Sequence, residues 1–386
     1  MIIGFDGKRA IENNTGLGNY SRLLVEVLAR KYPDNRHLLY APRLKENTRL
    51  RRLMCLPQVD IITPRSAGTH TIGAVWRSRG VTSCLRRDKV DIYHGLSGEL
   101  PLNIGEFDGP SVVTIHDVIF RRFPECYNAI DRKIYDYKFN KAARAATRVI
   151  AISQKTKEDI MEFYGIPSDK IDVIYQGCHA QFHRRPSDRE IEAVKEKYGI
   201  ENPYIITVGT VETRKNQAMA VRGIRGLPDE IDLVVVGRRT PYARSLDSYL
   251  TAYKSESRVR FIENADFADL PALYAGAFCS SYTSRYEGFG IPVIESLSVG
   301  TPVVIASGSC LEEAAGPSAP VVDPDDVEEW VNVIKEMVNY PDVRNRIARE
   351  GMEYARRFND DDMAEKTMET YLKAIDQYNH EKKTAK

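Results

Sequence analysis

Short apolar runs alternate with longer amphipathic stretches along most of the chain. This alternation is typical of parallel sheets covered by helices on both faces, so it predicts a doubly wound α/β fold. The apolar runs of the first half predict strands over 2–6, 37–41, 58–62, 90–93, 111–115, 148–152 and 171–174. Helical spacing predicts helices over 19–31, 128–146 and 153–164. We expect Ser153 to cap the last helix.

The strand pattern lapses over 178–203, where only one charged helix, 187–198, is predicted. We therefore place a domain boundary near residue 185. The alternation then returns, with strands near 204–208, 231–236, 259–262, 278–282, 302–305 and 320–322. After Pro324 the chain is almost wholly helical, with breaks near 339–341 and 359–362. The predicted domains are 1–184 and 185–360, followed by a closing helix over 361–386.

Composition supports two domains and divides them by charge. The chain has 386 residues, 42% of them hydrophobic, which is enough for two ordinary cores. The net charge of +1 indicates neither a nucleic-acid partner nor an acidic solvating protein. Residues 1–185, however, carry 30 Lys and Arg against 20 Asp and Glu, whereas the remainder carries 25 against 34. The first domain is therefore basic and the second acidic.

The six cysteines are scattered without a C-x-x-C pair, so they indicate neither a zinc site nor a disulfide framework. The N-terminal residues read as a strand without the features of a signal peptide. No run approaches the eighteen or so apolar residues of a membrane span. We expect a cytoplasmic protein.

The strongest chemical signal is the string R-Y-E-G-F-G-I-P-V-I-E over 285–295, between a predicted strand and a helix. Gly288 and Gly290 let the backbone approach a ligand closely, and Pro292 suits a first helical turn. Amides near Gly290 are therefore expected to face an anion. Glu287 precedes the helix and Glu295 lies inside it, so the two carboxylates can reach different parts of one extended ligand. The alternative is a glycine-rich loop with two solvated glutamates.

This string resembles the Glu-x7-Glu signature of the retaining glycosyltransferases of family 4, or glycosyltransferase group 1. The resemblance covers nearly the whole chain through further motifs: Thr15-Gly16-Leu17-Gly18-Asn19-Tyr20, Thr114-Ile115-His116-Asp117, Val208-Gly209 with Arg214-Lys215-Asn216, Leu270-Pro271-Ala272-Leu273-Tyr274-Ala275, and Gly300-Thr301-Pro302-Val303-Val304. It implies the GT-B fold, in which two Rossmann-like domains face each other across a cleft and a closing helix returns to the N-terminal domain. The pattern is most similar to mannosyltransferases of polysaccharide or O-antigen assembly.

The resemblance also implies the donor site. Glu287 would contact the transferred sugar and Glu295 the ribose of the nucleotide. Gly288, Phe289 and Gly290 complete the donor-binding loop by the same resemblance.

Lys215 follows a strand of the second domain, where a positive charge can stabilise the leaving nucleoside diphosphate near the start of a helix. The alternative for Lys215 is an exposed lysine in a first turn. Many family members place an arginine directly after the strand glycine, but this chain has Thr210. The second cation is therefore expected from Arg214 or from elsewhere.

Two histidines follow predicted strands of the first domain, where doubly wound domains place ligand-facing groups. By resemblance, His116 lies beside the reacting sugar, and Asp117 orients the ring or contacts the acceptor. His94 is a second candidate on the acceptor side. A purely structural role is the alternative for both histidines.

Gly16 and Gly18 do not complete a dinucleotide fingerprint, because Ser21 occupies the last position. A nicotinamide cofactor is thus weakly supported, and the resemblance instead brings Gly16 close to the donor phosphates. Acidic runs at 323–325 and 360–362 both open predicted helices, where capping is the ordinary explanation. We expect neither a catalytic metal nor a cofactor.

The predicted reaction is transfer of a hexose from a GDP- or UDP-linked donor, with GDP-mannose slightly favoured, to a glycan or lipid-linked acceptor. The family mechanism suggests retention of the anomeric configuration. The same architecture also serves sugar-nucleotide epimerases and phosphorylases, and a non-catalytic nucleotide-sugar binder is a further alternative.

Two basic runs lie in the predicted acceptor domain. The first contains Arg43, Lys45, Arg49, Arg51 and Arg52, and the second contains Trp76, Arg77, Arg79, Arg86 and Arg87. We expect them to meet an anionic acceptor or the anionic inner face of a membrane. The alternative is ordinary solvated surface.

Overall fold

The computed structural model describes residues 1–64 and 70–384. The chain divides into two compact units: Met1–Gln176 with Asn359–Lys386, and Gly177–Phe358. The first boundary thus lies before the predicted position near residue 185. The reason is that the Gln181 side chain donates to the Phe267 carbonyl and the Phe182 ring packs against Phe267, so this segment joins the second unit.

The first unit contains seven strands and nine α-helices in the described residues. The strands are β1 Ile2–Asp6, β2 Arg36–Tyr40, β3 Val59–Ile62, β4 Ile92–Gly95, β5 Ser111–Ile115, β6 Arg148–Ala151 and β7 Ile171–Val173. The helices are α1 Lys8–Glu12, α2 Gly16–Lys31, α3 Arg51–Met54, α4 His70–Val75, α5 Val81–Arg87, α6 Ile119–Arg122, α7 Ala129–Ala145, α8 Gln154–Tyr164 and, at the C-terminal end, α17 Asp360–Thr384. A single turn of π-helix, Trp76–Gly80, joins α4 to α5.

The seven strands form one parallel sheet in the order β3-β2-β1-β4-β5-β6-β7. Alternate strand residues point to opposite faces of the sheet, and helices cover both faces. Phe5 and Leu39 pack with α2 and α17 on one face. Leu38 and Tyr93 pack with α5 on the other.

The second unit repeats this arrangement. Its strands are β8 Tyr204–Val208, β9 Asp232–Val236, β10 Val259–Ile262, β11 Cys279–Tyr282, β12 Val303–Ala306 and β13 Val321–Val322. Its α-helices are α9 Asp188–Lys197, α10 Ala218–Gly223, α11 Ala243–Tyr253, α12 Leu270–Ala275, α13 Ile291–Ser298, α14 Leu311–Ala315, α15 Val327–Asn339 and α16 Pro341–Ala355. The parallel sheet has the order β10-β9-β8-β11-β12-β13. A core cluster of this unit surrounds the buried ring of Trp330.

Every predicted strand is present, with bounds within about two residues of the prediction. Ser153 caps α8 as expected, because its Oγ accepts a hydrogen bond from the Thr156 amide. The closing helix α17 packs against α2 in the first unit, and Lys31 of α2 pairs with Asp361 and Glu365. Two Rossmann-like domains and a returning C-terminal helix confirm the predicted fold class.

Candidate active site

The candidate site lies at the carboxyl ends of β8 and β11, the two central strands of the second sheet. The order of strands along the chain reverses between them, and ligands of doubly wound sheets bind at such a point. The loop after β8 carries Arg214 and Lys215, and the loop after β11 carries Glu287. The sheet therefore brings together residues that are some seventy positions apart in the sequence.

Glu287 lies between two cations. Its Oε1 is 2.6 Å from Lys215 Nζ, and its Oε2 is 3.0 Å from Arg214 Nη1. All three side chains are largely buried. Burial alone would raise the pKa of Glu287, but Lys215 and Arg214 lower it to about 2. The carboxylate is therefore ionised at neutral pH, and it holds both cations in place.

Hydrogen bonds to backbone carbonyls hold the turn that carries the two cations. They lie in a tight turn, Thr213–Lys215, rather than at the predicted helix start, because Asn216 adopts a left-handed conformation with a φ of 55°. The Asn216 side-chain amide donates to the Thr283 and Pro324 carbonyls, at 3.2 and 2.8 Å. Arg214 Nη1 also donates to the Tyr286 carbonyl at 2.6 Å. The loops after β8 and β11 are thus bonded to each other.

Tyr282 is a member of this cluster that the sequence analysis missed. Its hydroxyl accepts a hydrogen bond from Lys215 Nζ at 2.6 Å and donates to Glu287 Oε1 at 3.3 Å. Burial raises the pKa of Tyr282, so the phenol stays protonated and can serve as that donor. Only its position at the last residue of β11, next to the loop that carries Glu287, could have indicated a role.

The start of α13 confirms the predicted place of Pro292 in a first helical turn. Gly290 precedes the helix with a φ of 115°, a conformation that favours glycine, and Pro292 lies in the first turn. Buried Cys310 places its Sγ 3.1 Å from the Glu287 carbonyl and 3.0 Å from the Phe289 carbonyl, which ties the loop to α14. The Phe289 ring is buried against Phe358, so Phe289 can contact a ligand through its backbone but not through its ring.

Glu295 differs from Glu287 in its environment although it is equally buried. It lies on α13, where the Tyr274 hydroxyl is 3.4 Å from its Oε2. Burial raises the pKa of Glu295 to about 7, and the Tyr274 hydrogen bond opposes this shift only in part. Near neutral pH the two glutamates of one loop and helix therefore differ in charge: Glu287 is ionised and Glu295 is half protonated.

His116 and Asp117 follow β5 in the first unit, and both are partly exposed. The His116 Nε2 donates to the Leu96 carbonyl at 2.9 Å, which leaves Nδ1 as an acceptor 3.4 Å from the Gln176 amide nitrogen. Burial of the ring lowers the pKa of His116 to about 4, so the ring is neutral at pH 7. Asp117 accepts a hydrogen bond from the Ile119 amide at 3.1 Å and thereby shapes the turn into α6.

His94 lies away from the surface, which differs from the predicted acceptor-facing position. Its ring is fully buried at the end of β4. Nδ1 is 2.7 Å from the Tyr371 hydroxyl of α17, and Nε2 is 2.8 Å from Thr114 Oγ1. Because both ring nitrogens are used inside the core, His94 fastens the closing helix to the first sheet.

Gly16 is the first residue of α2 and is exposed, with open space where a side chain would lie. Gly18, two residues later, has no such freedom. A Cβ there would lie 1.9 Å from the Asn13 carbonyl oxygen, so only glycine fits. The local backbone thus requires Gly18, whereas Gly16 leaves room for a ligand to approach.

Comparisons with known proteins identify the family of this chain. The family model described as Glycosyltransferase Family 4 matches residues 14–182, and the model described as Glycosyl transferases group 1 matches residues 188–354. The chain belongs to these glycosyltransferase families. Together the two matches cover both units and include the complete Glu287–Glu295 string.

Curated relatives of this glycosyltransferase include two O-antigen enzymes. The O-antigen chain mannosyltransferase RfbU of Salmonella typhimurium is 28% identical over 251 residues, which are 65% of this chain and 66% of the relative. The O-antigen chain mannosyltransferase B of Escherichia coli is 29% identical over 300 residues, 74% of this chain and 75% of the relative. The alignments thus span two thirds to three quarters of these relatives.

Among solved structures, Anabaena Alr3699/HepE in complex with UDP and glucose matches this glycosyltransferase with a TM-score of 0.77 at 21% identity. The match covers 97% of this chain and 100% of that one. At this level of identity the likeness shows the shared GT-B fold.

The basic runs of the glycosyltransferase differ in exposure. The prediction that Arg77 meets an external anion is wrong, because its side chain is only 12% exposed and is already paired. Arg77 donates from Nε to Asp6 Oδ1 at 3.0 Å and from Nη1 to Glu99 Oε2 at 2.8 Å. Arg43 and Arg87 are exposed but pair with Glu12 and Asp88. The other arginines of the two runs, and Lys45, are exposed: Lys45, Arg49, Arg51, Arg52, Arg79 and Arg86.

The acidic runs lie at helix starts, as predicted, but the capping residues are their neighbours Asp326 and Asn359. Asp326 caps α15 by accepting a hydrogen bond from the Glu329 amide, and Asp325 pairs with Arg285. Asn359 caps α17 ahead of its three aspartates. Within residues 1–64 and 70–384, no group of three or more His, Cys, Asp or Glu side chains is arranged to hold a metal ion. In the same residues, no helix combines the length and the apolar composition that a bilayer span requires.

Proposed function

We propose that this glycosyltransferase moves a hexose from a nucleotide sugar to an acceptor hydroxyl in glycan or glycolipid assembly, with retention of the anomeric configuration. The observation that carries the proposal is the ionised Glu287 held between Lys215 and Arg214 at the carboxyl end of the second sheet. Buried cations in this position suit a ligand with a diphosphate group.

The paired cations supply the stabilisation that the reaction needs. Negative charge develops on the leaving nucleoside diphosphate in the transition state, and preorganised cations at that point lower the barrier. Lys215 and Arg214 are preorganised because Glu287, Tyr282 and the Tyr286 carbonyl already hold them. A diphosphate would take over part of their pairing with Glu287, whose carboxylate then becomes available to the transferred sugar. Because these two cations can stabilise the leaving diphosphate, the proposed reaction does not require a metal ion.

Glu295 is proposed to bind the ribose of the nucleotide. Its raised pKa leaves a protonated fraction near neutral pH, and hydrogen bonds from ribose hydroxyls would favour the ionised form. Glu295→Ala should therefore weaken nucleoside diphosphate binding more than it slows a saturated enzyme. Unchanged affinity by calorimetry would refute the ribose assignment.

Mannose is the proposed sugar, because two relatives that align over 65% and 74% of this chain are named O-antigen chain mannosyltransferases. GDP is the carrier proposed from the family resemblance of the sequence motifs. The acceptor is proposed to be a growing glycan or a lipid-linked glycan on the same ground. Retention is proposed from the Glu287–Glu295 string, with the leaving phosphate accepting the acceptor proton. The coupling constant of the anomeric proton in the product, measured by NMR, tests retention directly.

The deciding experiment is a panel of GDP- and UDP-sugars, scored by released nucleoside diphosphate with and without a glycan acceptor and with and without EDTA. Transfer predicts diphosphate release that rises with acceptor, is greatest with GDP-mannose and is insensitive to EDTA. An epimerase would interconvert sugars without acceptor, and a binding protein would release nothing. Glu287→Gln should abolish release, whereas Lys335→Gln, an exposed change in the same unit, should not.

A further inference from the structure

Helix α7 has two apolar faces, of which only one is covered. Its inner face packs into the first unit's core through Tyr135, Phe139, Ala142 and Ala143. On the opposite side, Ile130, Ile134 and Tyr137 are 70%, 45% and 60% exposed. Their spacing of four and three residues places them in one stripe along the helix. Among the residues whose side chains the structure describes, which are 1–64 and 73–384, no other stretch of eight holds even two large hydrophobic side chains as exposed as these.

The same stripe is cationic. Lys133, Lys141 and Arg144 follow the apolar residues at helical spacing, and the Lys141 ammonium is 6.0 Å from the centre of the Tyr137 ring. The two carboxylates of α7 lie outside the stripe. Asp136 pairs with Arg121 at 3.4 Å, and Asp131 is turned about 100° away from Ile130. The stripe itself therefore joins apolar side chains with positive charge, and the exposed Asp131 lies beside it.

We propose that this outer face of α7 docks on an anionic lipid bilayer. An amphipathic helix that lies in the bilayer interface inserts an apolar stripe between the acyl chains and headgroups, while flanking lysines and arginines meet anionic lipids. Ile130, Ile134 and Tyr137 provide the stripe, and Lys133, Lys141 and Arg144 provide the charges. A second copy of this chain is a poorer occupant, because two such faces would bring like charges together. The proposal does not depend on the proposed sugar transfer.

The surface differs from the basic runs that the sequence analysis favoured. Arg77 of those runs is buried in an ion network, whereas the cations of α7 border exposed apolar side chains. Arg51 and Arg52 are exposed on α3 and serve as a comparison within the same unit. Charge alone predicts equal binding through α3 and α7, but apolar insertion favours α7.

Flotation with vesicles tests the proposal on the full-length protein. We expect binding to vesicles of phosphatidylcholine with phosphatidylglycerol, little binding to phosphatidylcholine alone, and release by high salt. Ile130→Ser with Ile134→Ser should lower the partition coefficient at least about tenfold, and Lys133→Gln with Lys141→Gln should lower it about tenfold or more. Asp131→Asn should raise it about fivefold. The matched control in the second unit, Lys335→Gln with Tyr340→Ser, should leave it unchanged.

Nucleoside diphosphate binding and the circular dichroism spectrum should be unchanged in every variant, because the replaced side chains are exposed. Equal binding to neutral and anionic vesicles would overturn the proposal. So would undiminished binding of both α7 double variants, or an equal loss from Arg51→Gln with Arg52→Gln. A dimer in solution that the α7 variants dissociate would assign the face to a second copy and overturn it as well.

Discussion

Each unit contains a buried cluster of charges, and the two clusters are arranged in opposite ways. In the first unit the Arg77 guanidinium lies between the carboxylates of Asp6 and Glu99. In the second unit the Glu287 carboxylate lies between the cations of Lys215 and Arg214. Both clusters follow central strands, β1 and β4 in one case and β8 and β11 in the other.

The sign of the central group decides what each cluster can do. A guanidinium enclosed by two carboxylates has its charge already matched and offers little to an incoming anion, and Lys138 completes the neutralisation of Glu99 at 3.1 Å. In the second unit Arg214 also pairs with Glu212 at 2.7 Å, so a diphosphate would share Lys215 and Arg214 with the carboxylates of Glu287 and Glu212. The comparison teaches that similar burial and similar ion pairs serve stability in one unit and, we propose, catalysis in the other.

The largest effect is expected from Arg77→Met. The change leaves the carboxylates of Asp6 and Glu99 buried without their shared cation, so the free energy of unfolding should fall by about 3–5 kcal/mol. Urea denaturation measures the loss, and Arg79→Met, an exposed neighbour, should change it by less than about 0.5 kcal/mol. In the absence of urea, and at a temperature below its thermal unfolding transition, the variant should keep its affinity for nucleoside diphosphate. A loss confined to activity would show that the Arg77 cluster is not structural.

Lys215→Ala tests the opposite arrangement. Turnover should fall by about two to three orders of magnitude, the scale for removal of one preorganised stabiliser of developing charge. Steady-state kinetics measure the fall at saturating donor, with Lys335→Ala as the exposed control. Near-normal turnover would move the diphosphate role to Arg214 or Arg238.

Glu295→Gln should remove a pH dependence of stability. The pKa of Glu295 rises from 4.5 to about 7 on folding, so the folded protein binds this proton more tightly between those values. Its contribution is therefore full below pH 4.5 and is lost as the pH rises through 7, by about 3 kcal/mol in all. The difference in free energy of unfolding between native and variant proteins, measured from pH 4 to 8, isolates this group. A constant difference across that range would contradict the shift.

Tyr282→Phe should have the smallest effect. It removes the hydroxyl that links Lys215 to Glu287 but leaves their direct ion pair, so turnover should fall only about tenfold. Tyr204→Phe is the matched control, because it removes a 2.6 Å bond from another buried tyrosine to the Leu273 carbonyl. Both variants should lose similar stability, but only Tyr282→Phe should lose turnover. Equal turnover in the two would reduce Tyr282 to a packing residue.

Much of the donor loop could be predicted from the sequence. Gly290 and Pro292 stand where their conformational preferences fit the start of α13. The positions of Glu287 before this helix and of Glu295 within it could be predicted from the string between a strand and a helix. Lys215 was predicted as a cation near the diphosphate, but its partners were not. Tyr282 reaches Lys215 only because β8 and β11 are neighbours in the sheet, a pairing of distant segments.

The sequence by itself determined the order of the strands, their approximate bounds and the longer helices, because periodicity, caps and turn residues act over a few positions. It did not predict the short helices α1, α3, α4, α5 and α6. Only the tertiary structure decided which charges are paired and which are exposed. In the folded protein Arg77 lies between two carboxylates, His94 is hydrogen-bonded to the closing helix, and the outer stripe of α7 is uncovered. The physical reason is that burial and ionisation depend on neighbours brought together across the sheet, and those neighbours are distant in the chain.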